Sequence, residues 1–255
     1  MNQTIIAFDT NIWIALAYNN DAFKEIKTKV ENRDIILVVS DVIKLEWARN
    51  KPKKIEERCA PISKAKEKAL SLTKYIADKT ERAQMIQSIN QSSQRAYEEN
   101  KAKYENEFNT VENLINSCPC FTTKDEDKLY VANLAIEKRP PLNNNKNNFN
   151  DALLVRSFYK YVIEKRLADG DVTPNKYDLV YVSNNSQDFI DSETKEIYTT
   201  IIEDLEYPLK VINSKCIGDS LKLSNEIIED EDFEEWLISR IEDQAYLEWE
   251  ISRGK

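Results

Sequence analysis

The sequence predicts an α/β protein with a central parallel sheet flanked by helices, plus a long helical insertion and a C-terminal acidic helix. Three observations carry this. Short apolar runs recur at 4–8 (TIIAF), 35–39 (IILVV), 178–182 (DLVYV) and 208–213 (PLKVIN), and continuous runs of this kind are buried on both faces, as in a parallel sheet. The first two runs each end in a polar break followed by apolar residues at helical spacing. Residues 62–117 contain no Pro or Gly and space their apolar side chains by three and four, the periodicity of a helix with one buried face.

The elements follow in order. The run 4–8 breaks at Asp9-Thr10-Asn11, after which Ile12 to Tyr18 start a helix. The run 35–39 leads to Ser40, in N-cap position before Val42, Ile43, Leu45 and Trp47. One or two long helices then form an insertion, placed at about 52–117. Pro140-Pro141 and the Asn-rich run 143–150 make a polar loop, and Asp151 to Arg166 resumes helical spacing with Asn150 as its N-cap. The run 178–182 breaks at Ser183-Asn184-Asn185-Ser186, and 226–251 reads as an acidic helix. The expected division is a domain over 1–215 and an acidic extension over 216–255.

Composition narrows the chemistry. The chain has 255 residues and no histidine, which removes Ser-His-Asp triads, Cys-His dyads, His-ligated zinc and a histidine base. Carboxylate, thiolate, lysine and tyrosine chemistry remain. The cysteines, Cys59, Cys118, Cys120 and Cys216, lack secretory spacing, and the first apolar stretch is interrupted by Asp9, so a soluble, cytoplasmic protein with no membrane partner is expected. Cys118-Pro119-Cys120 lacks the further ligands that a tetrahedral metal site needs, and reads as packing.

Four acids fall where a parallel sheet makes a site, outside the carboxyl ends of its strands. Asp9 ends the first strand. Glu46 lies about two turns into the helix after the second, Asp151 opens the helix after the Asn-rich loop, and Asp188 follows the third strand by a few residues. Each has an ordinary reading, since strand-end acids often cap turns and helix-face acids are often merely solvated. Gathered together they would repel unless a cation neutralised them, and hard oxygen donors select Mg²⁺ or Mn²⁺. Such a cation can activate water and stabilise the leaving oxygen of a phosphodiester.

Phe8-Asp9-Thr10-Asn11 after a strand, Glu46 in Val42-Ile43-Lys44-Leu45-Glu46, Asp151-Ala152-Leu153-Leu154 at a helix start and Val182-Ser183-Asn184-Asn185-Ser186-Gln187-Asp188-Phe189 after a strand together resemble PIN-domain nucleases. The nearer likeness is to the larger bacterial PIN-like group with a helical insertion, in which a segment like Arg139-Pro140-Pro141 precedes the Asp-Ala-Leu helix. It covers roughly residues 4 to 213. The resemblance implies a Rossmann-like sheet and a divalent-metal-dependent endonuclease acting mainly on RNA. Asp9, Glu46, Asp151 and Asp188 would be catalytic and would bind Mg²⁺ or Mn²⁺. Thr10 and Asn11 would support Asp9, and Ser183, Asn184 and Asn185 would support the site from the loop. At 184 and 185, where many members carry an acid, this chain has Asn-Asn, so either Asp188 or Asn185 completes the set. A catalytically silent RNA- or protein-binding scaffold and a structure-specific DNA nuclease are the alternatives.

The net charge of −9 gives no global field for a polyanion. Its distribution is uneven: residues 49–104 hold 14 basic side chains against 7 acids, and residues 171–255 hold 8 against 21. Arg49, Lys51, Lys53 and Lys54 are therefore the candidate nucleic-acid contacts, with RNA as the partner and single-stranded DNA the alternative. A protein regulator such as an antitoxin, and a homodimer, are open. Toxin, phage-defence effector and RNA-processing roles are not separable from sequence.

Overall fold

A computed structural model describes residues 3–142, 148–168, 177–184, 189–190, 197–202 and 209–212. Asn185, Asp188, Cys216, the acidic stretch 226–251 and most of the Asn-rich run lie outside the described residues.

The four apolar runs form strands β1 (Gln3–Phe8), β2 (Ile35–Ser40), β4 (Tyr177–Val182) and β5 (Leu209–Ile212). Sequence reasoning missed β3 (Cys120–Phe121), an edge strand of two residues, too short for a periodicity. It is held to β2 by the Val39 N–H donating to the Pro119 carbonyl at 3.0 Å. The sheet order is β3-β2-β1-β4-β5 and the pairings between its strands are parallel. The chain works outward from β1 to β3 and then returns to the other side of β1. The order therefore reverses between β1 and β4, the switch point where α/β sheets open a crevice.

The helices are α1 (Thr10–Tyr18), α2 (Asn20–Glu31), α3 (Asp41–Leu72), α4 (Lys79–Ser117), α5 (Asp125–Ile136) and α6 (Phe149–Ala168). One begins as the sequence suggests, Ser40 accepting from the Val42 N–H at 3.1 Å, whereas α1 starts directly after Asp9, so Thr10 and Asn11, read from sequence as part of the polar break, lie in its first turn. The start of α6 is a correction: the Asn148 carbonyl accepts from the Ala152 N–H at 2.9 Å, so the helix begins at Phe149 and Asn150 lies in its first turn, its side chain released from capping. α3 runs on through Pro52 and Pro61. A helix-interior proline costs about 3 kcal/mol, partly by removing a donor to the carbonyl four residues back. Here those carbonyls belong to Ala48 and Glu57, both exposed, where water can replace the lost bond.

The chain divides into two compact units, with the described residues 3–47 and those from Val111 onward around the sheet, and Ala48–Thr110 forming a helical unit. The sheet unit is packed on Ile6, Trp13, Trp47, Phe158, Tyr159 and Tyr181, all nearly inaccessible. Phe8 meets Trp13 edge-on at 5.3 Å between centroids. Within the helical unit, Arg58 pairs with Glu107 at 2.6 Å and lies over the Tyr104 ring, and Lys101 and Tyr97 both bond Glu56. Pairs joining early α3 to late α4 residues make it an antiparallel hairpin around Ile55, Cys59 and Phe108.

The sheet unit also contains a buried ion pair that no sequence pattern announced. The Arg156 Nε of α6 donates to Asp127 Oδ1 of α5 at 2.9 Å, its Nη1 donates to the Ile201 carbonyl at 3.0 Å, and its guanidinium lies 3.6 Å from the Tyr130 ring centre. Tyr130 in turn donates to the Thr200 carbonyl. This network ties α6 to α5 and to the turn Thr199–Ile201, setting the helix whose first turn carries Asp151. Among the described residues, no helix is long and apolar enough to cross a membrane.

Candidate active site

Asp9 is the first residue past β1, beside the switch point. Its backbone N–H donates to the Val182 carbonyl at 2.9 Å, continuing the β1–β4 ladder by one bond, and its side chain makes no cap bond to α1. Freed from capping, the carboxyl accepts from Ser183 Oγ at 3.2 Å and from the Thr10 backbone N–H. The two strand ends thus hold Asp9 between them.

Glu46 and Asp151 arrive from the starts of α3 and α6. Thr10 Oγ1 donates a short hydrogen bond to Glu46 Oε2, and Asn150 Nδ2 lies 3.5 Å from Glu46 Oε1, at the outer limit for a bond. The polar residues around the acids therefore work differently from the sequence expectation. Thr10 supports Asp9 through its backbone but spends its hydroxyl on Glu46, and Asn150 faces Glu46 instead of capping. Ser183 does bond Asp9, whereas Asn11 is exposed on α1 and Asn184 is exposed one residue past Ser183.

The electrostatics follow from this gathering. Asp9 is only 4% exposed. Burial first, then the charge of Asp151, raise its carboxyl from 3.8 to about 6; Thr10 and Ser183 pull it down, and Glu46 adds a smaller push upward. A buried acid with acidic neighbours resists ionising unless positive charge compensates it. The donors are all hard oxygens, so their chemistry fits a hard divalent cation and not a thiophilic one. The side chains repel one another without being drawn around one point: among the described residues no three acid, cysteine or histidine side chains are close enough to form a ligand group.

Lys51, Lys53 and Lys54 belong to the helical unit, where their charges are partly engaged. Lys51 bonds Asn109, Lys54 pairs with Glu57 at 2.7 Å, and Lys53 lies 3.9 Å from the same carboxyl. Arg49 is exposed on α3. The two cysteines of the Cys-Pro-Cys stretch diverge, Cys118 buried with its thiol pushed up to about 12 by burial and Cys120 exposed.

A parallel sheet in this order, with acids meeting at its switch point, defines an α/β protein of the Rossmann-like, nuclease-type class. The family comparison makes this specific: the family model described as PIN domain matches residues 6–189, and the chain belongs to the PIN domain family. The matched stretch runs from β1 past Ser183 and includes Asp9, Glu46 and Asp151. PIN domains are generally nucleases, so nucleic acid is the implied substrate. No curated protein and no solved structure matches the chain.

Proposed function

We propose that this protein is a divalent-metal-dependent endoribonuclease, in which Asp9, Glu46 and Asp151 would hold Mg²⁺ or Mn²⁺ and Asp188 or Asn185 would complete the set. The observation that supports it best is the Asp9 carboxyl, buried at the switch point and raised to about 6 beside two acids from separate helices. A buried acid opposed by two half-buried acids does not stabilise a fold, because each disfavours the charge of the next. The chemistry such a cation supplies when bound is Lewis-acid polarisation of the phosphodiester and activation of water.

The chain's own groups prepare that chemistry. Ser183 and the Thr10 N–H hold Asp9, and the Thr10 hydroxyl fixes one oxygen of Glu46 while Asn150 approaches the other. Arg49, Lys51, Lys53 and Lys54 would contact RNA phosphates. A toxin or phage-defence role, with an antitoxin-like regulator, extends this reading from the sequence resemblance and rests on nothing in the site.

The test is cleavage of a structured RNA pool and a matched single-stranded DNA in Mn²⁺ or Mg²⁺, beside chelator, Asp9→Asn and Asp151→Asn. RNA cleavage lost in all three controls is expected. Full metal-dependent activity in either variant removes that acid from the set, DNA cleavage alone makes the protein a DNA nuclease, and RNA binding indifferent to chelator without cleavage makes it a silent scaffold.

A further inference from the structure

Tyr181 is nearly inaccessible, at 1% exposed, and its hydroxyl has no hydrogen-bond partner among the described residues. Buried hydroxyls are ordinarily bonded, and leaving one unmade weakens the fold. The ring does not need the oxygen. It faces Phe158 at 6.3 Å between centroids, and phenylalanine would fill the same space with no polar atom to bury.

The position of that oxygen supplies the reason for it. Side chains alternate along a strand, so Tyr181 and Ser183 project to the same side of β4, and Ser183 already donates to Asp9. Tyr181 is in register with Ala7 of β1, two residues before Asp9. Its aromatic neighbour Phe158 is seven residues after Asp151, two turns along the same face of α6. Strand register thus places Tyr181 one side-chain step back from Asp9 and Ser183. The phenol is pushed well above its ordinary range by burial first, then by Asp9, Asp151 and Glu46, so it is a neutral O–H donor throughout the working pH range.

We propose that Tyr181 is a positioning residue of the acidic site, its hydroxyl donating a hydrogen bond to the Asp9 carboxylate when that carboxylate would hold a divalent cation. This rests on the reading of Asp9, Glu46 and Asp151 as the acidic set. Asp9 Oδ2 already accepts from Ser183, and a second donor would fix the carboxyl plane. Partners of this kind, standing behind the ligand atoms, typically change metal affinity 10–100-fold. The unpartnered hydroxyl of the cation-free protein is then a cost held in reserve for the loaded one.

The experiment uses the full chain and two readouts, Mn²⁺ affinity by calorimetry and Tm in chelator, for wild type, Tyr181→Phe and Asp9→Asn. The expected result for Tyr181→Phe is a Tm equal to or above wild type with Mn²⁺ bound roughly 10–100-fold more weakly. A purely structural hydroxyl cannot produce that opposition. Unchanged Mn²⁺ affinity in Tyr181→Phe while Asp9→Asn loses binding overturns the role of Tyr181 and leaves the acidic set standing. Weaker binding accompanied by a lower Tm also overturns it, because the hydroxyl would then be holding the fold. Absence of Mn²⁺ binding in wild type, or full binding by Asp9→Asn, overturns the acidic-set reading and this inference with it.

Discussion

Asp9 and Asp127 are both aspartates at most 4% exposed in the same sheet unit, yet they are surrounded by opposite company. Asp127 faces a guanidinium at 2.9 Å whose Nη1 donates to a carbonyl and whose flat face lies on a tyrosine ring. Asp9 faces two further acids, with a serine hydroxyl and one backbone N–H as its donors. Burying a charge is expensive, and an opposite charge with good geometry offsets the cost whereas a like charge adds to it. The first arrangement makes sense within the apo fold. The second has no compensating charge of its own, and under the proposed function a bound cation would supply it.

The largest effect should come from breaking the complementary pair. Arg156→Met leaves Asp127 buried without its cation and frees the Ile201 carbonyl, and loss of one partner of a buried pair typically costs about 3–5 kcal/mol. Urea denaturation should register it. A change below about 1 kcal/mol would dissolve the distinction between the two aspartates.

Asp9→Asn should go the other way. The folded-state value of about 6 lies above the ordinary 3.8, so the folded chain binds this proton more tightly than the unfolded chain. Its contribution to stability is fully present below about pH 4 and is lost as pH rises through about 6. At one pKa unit per 1.36 kcal/mol, the loss is on the order of 2–3 kcal/mol. In chelator, wild type should therefore lose stability across that window while Asp9→Asn does not, making the variant the more stable protein at pH 7. Excess Mn²⁺ should raise the Tm of wild type and leave that of the variant unmoved, by linkage. A flat pH profile for both proteins would show that Asp9 is not strained.

The smallest effect sharpens the comparison. Ser183→Ala removes a donor that favours the charged form of Asp9, so the midpoint of that pH window should move upward. The stability change at low pH, where the carboxyl is protonated, should stay within about 1 kcal/mol. A downward shift would mean that Ser183 opposes the charge it is placed beside.

Legibility followed from how each feature is encoded. The apolar runs of β1, β2, β4 and β5 were readable because burial on both faces demands a continuous stretch, and Asp9 and Ser40 because a strand that ends in polar residues must turn. β3 was not readable, since two residues carry no period. The start of α6 was misplaced onto Asn150 because Asn148 and Asn150 are equally good caps by residue type, and only the bond from Ala152 chooses between them. Asp9, Glu46 and Asp151 stood out as acids at strand and helix ends, but the bonds of Thr10 and Asn150 to Glu46 join residues far apart in sequence and carry no local signal.

The sequence by itself determined the α/β class, the order of its main elements and the carboxylates available to a site without histidine, because hydrophobic period and residue chemistry are local properties. Only the tertiary structure decided which acid is paired and which is opposed, that Arg156 belongs to Asp127, and that the Tyr181 hydroxyl is buried. The Arg156–Asp127 pair joins two successive helices 29 positions apart, whereas the meeting of Asp9 with Ser183, 174 positions apart, depends on strand order. The reversal between β1 and β4 brings residues more than a hundred positions apart into electrostatic range, and it is proximity, not residue type, that sets the free energy of a buried charge.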